Sequence, residues 1–177
     1  MLTWFSSRTA SRRKAANLYG AVVAKARTPE LFAGAGIADT PEGRYEALVL
    51  TLFLVMERLR AEGSAGPAAD AARDLIESFV TDMDDNMREM GVGDLTVPKK
   101  VKKAAAAFYD RAEAYRAALA PAAAPGDLAG LIGRVVPAAP DRPLDPSAIA
   151  AHMRAEAAHL ASVPVGEVLA GELERAG

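Results

Sequence analysis

Three residues near the C-terminus have the types and spacing that chemistry needs. His152, Glu156 and His159 lie four and three apart, which puts them on one face of a helix. Two imidazoles and a carboxylate so placed could ligate a metal ion or the iron of a haem. Glu-x-x-His also occurs in di-iron helical bundles, but those need a second copy on another helix, and this chain has none. The same face reads as an ordinary polar surface. A second acidic group, Asp82, Asp84, Asp85 and Glu89, lacks both a partner base and the Gly-centred loop of an EF-hand. It reads as a solvated helix face. Gly91 and Gly93 form a G-x-G that no strand precedes, a weak phosphate signal. The absence of cysteine excludes disulfides, thiolate metal sites and Cys nucleophiles. No Ser/His/Asp order suggests a hydrolase. The expectation is a protein that is not an enzyme and carries no cofactor or metal. A haem- or metal-handling role for His152, Glu156 and His159 is the alternative these residues leave open.

A binding surface is easier to find than a catalytic one. The stretch DDNMREMGVGDLTVPKKVKKA, residues 84–104, runs from acid through two glycines into Lys99, Lys100, Lys102 and Lys103. These lysines crowd the start of a helix, where the positive end of the dipole disfavours them by about 0.3–1 kcal/mol each. Pairing with the acidic end of the preceding helix would return about 0–1 kcal/mol per exposed pair. The two effects nearly cancel, so stability gives little reason for four lysines, and a partner surface is the preferred reading. Upstream, Leu75, Phe79, Met83, Met87 and Met90 make one stripe. Its methionines serve either as plain core or as an adaptable contact surface, because thioethers repack around different partners. At the N-terminus, Trp4 and Phe5 stand beside Arg8, Arg12, Arg13 and Lys14. That mixture suits an anionic membrane surface or ribosomal RNA, and equally a solvated terminus.

The elements that must position these residues are helices. Of the 177 residues 51% are apolar but only 6% aromatic, and alanine makes up much of the rest. Alanine favours helices over sheet cores. We expect an all-α single domain of about six helices, the first four forming its compact centre. Helix one covers Thr9 to Lys25 and ends before Pro29; residues 29–33 add a short helical turn. The next has Asp39 and Thr40 as caps, Pro41 in its first turn, and runs to Arg60. Its middle is apolar on all sides, which fits a central buried helix or one lining a greasy groove. Gly43 near its start marks a close approach of another helix. A third helix spans Pro67 to Met90, with Gly91 as left-handed cap. A fourth, capped by Thr96, runs to Leu119 and buries Val101, Phe108 and Tyr115. Residues 120–145, rich in Pro and Ala, read as a loose connection holding one short helix around Leu128 to Val136. Asp145 then caps a last long helix to Ser162, and the tail adds a short one.

The net charge of −2 gives no global basic field, so DNA is not an expected partner. The longest apolar run, Ala47 to Met56, is half of what a membrane-spanning helix needs. The first residues lack the apolar stretch of a secretory signal. The expected location is cytoplasmic, with peripheral contact at the inner membrane compatible.

Several stretches together resemble the ubiquinol-cytochrome c chaperone family: ANLYGAVVAKARTPELFA (16–33), GIADTPEGRYEALVLTLFLVMERL (36–59), DNMREMGVGDLTVPKKVKK (85–103) and FYDRAEAY (108–115). The third is the most specific, with its Met-Gly turn, Asp-Leu, proline and lysines. The resemblance covers roughly residues 15–119. It leaves residues 1–14 as a basic extension, 120–145 as connection and 146–177 as a C-terminal helical segment. It implies an assembly factor of the cytochrome bc1 complex of the respiratory chain, whose client is unassembled cytochrome b or another membrane respiratory subunit. A second assembly factor and a ribosome contact are compatible with what it implies, and a ribosome-associated role is a further alternative. Combined with the residue patterns, the expected partner surface is Arg44, Met83, Met87, Arg88, Met90, Gly91, Val92, Gly93, Asp94, Leu95, Lys99, Lys100, Lys102 and Lys103.

Overall fold

The computed structural model describes residues 2–174. Among them are seven α-helices: α1 (Leu2–Ala26), α2 (Pro41–Arg60), α3 (Pro67–Glu89), α4 (Val97–Leu119), α5 (Asp127–Val135), α6 (Pro146–Ser162) and α7 (Val165–Ala170). A single π-helical turn, Glu30–Gly34, stands where a short helical turn is expected after Pro29. The all-helical class holds, and α1 starts at Leu2, seven residues before the expected Thr9. The side chains of residues 1–13 lie outside the described ones, so the reading of Trp4, Phe5, Arg8, Arg12 and Arg13 has no structural counterpart.

Helix α2 is the axis of the molecule. It packs on α1, α3, α4 and α6, and Ala47 to Val55 are buried without interruption. Of the two readings of its apolar middle, the central buried helix is the one adopted. Its start follows the expected chemistry, since Thr40 Oγ1 accepts from the Gly43 amide at 3.2 Å. Its far end serves another helix: Arg58 Nε and Nη2 donate to the carbonyls of Leu160 and Val163 at 2.8 and 3.0 Å. A cation thus meets the negative end of α6. Aromatic pairs tie α4 to the neighbours of its buried face. Phe53 and Tyr115 centroids lie 5.5 Å apart, and those of Phe79 and Phe108 5.6 Å, distances at which tilted rings attract.

Residues 120–145 are more than a loose connection. Leu128 and Ile132 of α5 are fully buried, and with Ile149, Met153 and Leu160 of α6 they join the same core as α1–α4. The compact centre therefore extends beyond the first four helices. After α5 the chain runs extended beside the segment that precedes α2. The Ala38 amide donates to Pro137 at 2.9 Å, the Ala139 amide to Gly36 at 3.0 Å and the Asp145 amide to Ala35 at 2.9 Å. The Pro/Ala composition hides this, because three large apolar residues at helical spacing suffice to anchor α5.

Helix α3 ends as its sequence predicts. Gly91 has φ +77°, the Gly91 amide donates to Arg88 at 2.9 Å and the Val92 amide to Met87 at 3.0 Å. This double closure is the Schellman motif. The expectation for Thr96 is corrected: it occupies the cap position of α4 but has helical backbone angles and makes no side-chain cap bond.

Candidate functional site

The methionine stripe changes character along α3. Leu75 and Phe79 are buried in the core, Met83 and Met87 are half-buried, and Met90 is 62% exposed. The outer part of the stripe forms one wall of a groove of about 650 Å³. The end of α1 (Val23, Ala26, Arg27), the start of α2 (Pro41 to Leu48), the last residue of α5, Val135, and Pro137 just after it form the others. Three local features position these walls. Tyr19 of α1 donates its hydroxyl to Asp82 of α3 at 2.8 Å, and burial followed by this bond raises the phenol's pKa well above its ordinary value. The Thr40 cap fixes the first turn of α2, and Gly91 ends α3 beside Met90.

The groove is apolar inside and charged at its mouth. Arg44 Nε donates to Asp39 at 2.6 Å, both side chains being more than half exposed. That bond holds the Asp39 carboxyl below its ordinary pKa and raises the Arg44 guanidinium above its own. Beneath the mouth Glu46 is buried and accepts from Arg111 Nη2 at 2.8 Å. Its other oxygen, Arg111 Nε and the Tyr115 hydroxyl are buried and find no hydrogen-bond partner among the described residues. Tyr45, whose hydroxyl donates to the Ala104 carbonyl at 3.1 Å, has its pKa pushed up to about 12 by burial and by Glu46.

Burial raises the Glu46 carboxyl above its ordinary 4.5, against the opposing pull of Arg111. Ionising it therefore costs more in the folded than in the unfolded chain. Between the ordinary value and the raised one the folded state holds more protons, so this group lowers stability as pH rises from about 4.5. Glu46→Gln is expected to remove that loss: urea unfolding across this range should show a shallower decline than wild type. An unchanged slope would contradict the assignment.

The expected partner surface is divided by the fold. Arg44, Met83, Met87 and Met90 line the groove. Arg88 at the end of α3, and Gly91, Val92, Gly93, Asp94, Leu95, Lys99, Lys100, Lys102 and Lys103 of the α3–α4 turn and the beginning of α4, lie next to the groove at Met90. Arg88 pairs with Asp84 at 2.5 Å and also with Asp94, so it organises the turn from within. Leu95 is 94% exposed. All four lysines are exposed, and none forms an ion pair among the described residues. None of them is thus directly paired with the acidic end of α3.

The His152, Glu156 and His159 reading is corrected. Glu156 is 5% exposed and turned toward α1, where Lys25 Nζ lies 3.0 Å from its Oε1. His159 Nε2 lies 3.2 Å from the Leu173 carbonyl, tethering the tail. Among the described residues no three His, Asp or Glu side chains converge as a metal would require. Glu156 is thus buried against a lysine reaching from α1 to α6.

Sequence reasoning missed the groove walls that α1, Tyr45, Leu48, Val135 and Pro137 supply. Tyr45 stood inside the family-like stretch 36–59, in GRYE at residues 43–46, the one available signal. The others carry no local mark, since each is an ordinary residue of its own element, apolar except for Arg27.

Comparisons with known proteins agree with this architecture. The sequence model of the family described as ubiquinol-cytochrome C chaperone matches residues 34–176. The match takes in α5, α6 and α7 and so extends through the last third of the chain, beyond the expected limit at residue 119. The crystal structure of the Cbp3 homolog from Brucella abortus is similar to this fold. Its TM-score is 0.79 and its identity 32%, over 97% of this chain and 93% of that one. Comparison with curated proteins gave no match.

Proposed function

The chain belongs to the ubiquinol-cytochrome c chaperone family, and from that premise we propose that it holds newly made cytochrome b during assembly of the bc1 complex, without catalysing a reaction. The client's apolar segment lies in the methionine-lined groove. The lysine-rich turn beside it meets a second, negatively charged surface. The observation that carries this reading is the opening of the α3 stripe: its inner residues are core, while Met83, Met87 and Met90 line open space. A stripe meant only for packing would stay buried to its end. Flexible thioethers suit a client that must be held and then released, and charges at the mouth orient its polar flanks. Among the described residues no helix is long and apolar enough to cross a membrane.

Replacing Lys99, Lys102 and Lys103 together by Gln separates stability from binding. Among the described residues the three side chains are exposed and form no ion pair, and Lys99, in the first turn of α4, sits where the positive end of the helix disfavours its charge by about 0.3–1 kcal/mol. Thermal unfolding should show an unchanged or slightly higher Tm, while recovery of cytochrome b with the variant from cells falls. A clear drop in Tm with recovery intact would contradict the binding role of the turn.

A further inference from the structure

From the same reading of the α3–α4 turn as a partner surface, we infer that its partner is the anionic surface of a lipid bilayer, which Leu95 and Met90 enter while the lysines lie among the headgroups. Three large hydrophobic side chains are exposed among the described residues, and two of them, Met90 and Leu95, sit in this one turn. Residues 88–96 are all exposed apart from the half-buried Val92. Leu95 at 94% exposure touches almost nothing of its own protein and is not part of the groove wall. A protein partner would have to bring a complementary pocket for it. A bilayer interface takes an apolar tip without one.

Charge points the same way. From Arg88 to Lys103 the chain has five cationic side chains against two carboxylates, Glu89 and Asp94. Asp94 is occupied by Arg88, whereas among the described residues the four lysines have no ion pair. Cations set just behind an exposed apolar tip are the arrangement that anionic lipid attracts. Docking there would bring the mouth of the groove, through Met90, to the membrane surface where an apolar respiratory subunit resides.

The test uses the full chain with no client present. Cosedimentation is measured with vesicles of phosphatidylcholine alone and of phosphatidylcholine mixed with phosphatidylglycerol. Binding is expected to the mixed vesicles only, and to weaken as added salt shortens the screening length. Lys99, Lys102 and Lys103 changed together to Gln should lower the partition constant on the order of a hundredfold, about fivefold for each charge. Leu95→Ser should lower it by roughly tenfold or more, the worth of one buried leucine. Both positions are exposed, so each variant folds, as circular dichroism would verify. No binding to the mixed vesicles, or binding that survives both variants, overturns the lipid assignment. Because no client is present, that result leaves the groove untouched. Capture of cytochrome b that the triple variant lowers would then assign the turn to acidic loops of the client.

Discussion

Lys25→Met is expected to cost about 3–5 kcal/mol of unfolding stability, the usual loss when one partner of a buried ion pair is removed. Lys25 and Glu156 have side-chain exposures of 10% and 7% and lie 3.0 Å apart. Glu174 also approaches Lys25, at 3.9 Å, but it is 82% exposed and keeps its solvation when the lysine is lost. Glu156 does not. The substitution leaves a carboxylate in the interface between α1 and α6 with no countercharge. The expected loss comes from that stranded charge more than from the pair itself, because bringing two ions out of water nearly offsets their attraction. Lys25→Met with Glu156→Leu should therefore recover most of the stability. Urea unfolding of the three proteins decides the matter. A single variant within 1 kcal/mol of wild type, or a double variant as weak as the single one, would show that Glu156 is better solvated than its burial indicates.

Gly43→Ala should destabilise the chain although alanine is the better helix former. Helix propensity alone favours the change by roughly 1 kcal/mol. A Cβ at position 43 would, however, run into the backbone carbonyl of Ala38 and lie 3.2 Å from Ile37 Cγ2. Ala38 is fixed in turn, since its amide donates to Pro137. The clash is with backbone, which no rotamer change relieves, so its cost should reach the upper part of the usual range, about 2–3 kcal/mol, and the net loss about 1–2 kcal/mol. For a domain of this size that corresponds to roughly 2–8 °C in Tm. Gly20→Ala is the matched control: a Cβ there meets nothing within 4 Å, and the same substitution should raise Tm slightly. Equal effects at the two positions would refute the close-approach explanation.

These two sites show what a sequence reveals and what it withholds. Gly43 was legible as a close approach, but the neighbour is the chain just before α2 rather than another helix. The start of α2, the Gly91 cap and the exposed lysines were all legible because each is a local device with a residue-type signature. Glu156 was legible only as one of three residues on a face. Periodicity places a residue on one side of its own helix and says nothing of which charge on a distant helix waits there, so the partnership with Lys25 was hidden. The groove was half legible for the same reason. The α3 stripe and Arg44 could be read from their own segments. The opposing walls come from α1 and from residues 135 and 137, which only the tertiary fold brings together. Residues 120–145 were underread because alanine and proline mask the anchoring effect of Leu128, Ile132 and Val136.

The central claim is that the groove beside the α3–α4 turn holds cytochrome b. Site-specific photo-crosslinking in cells that are making the bc1 complex tests it most directly, with probes at Met87 inside the groove, at Met90 on its edge and at exposed Arg154 on α6 as reference. Cytochrome b is expected in the adducts from Met87 and Met90, identified by mass spectrometry, and absent from those at Arg154. Its absence from the groove positions, or its equal appearance at Arg154, would contradict the account.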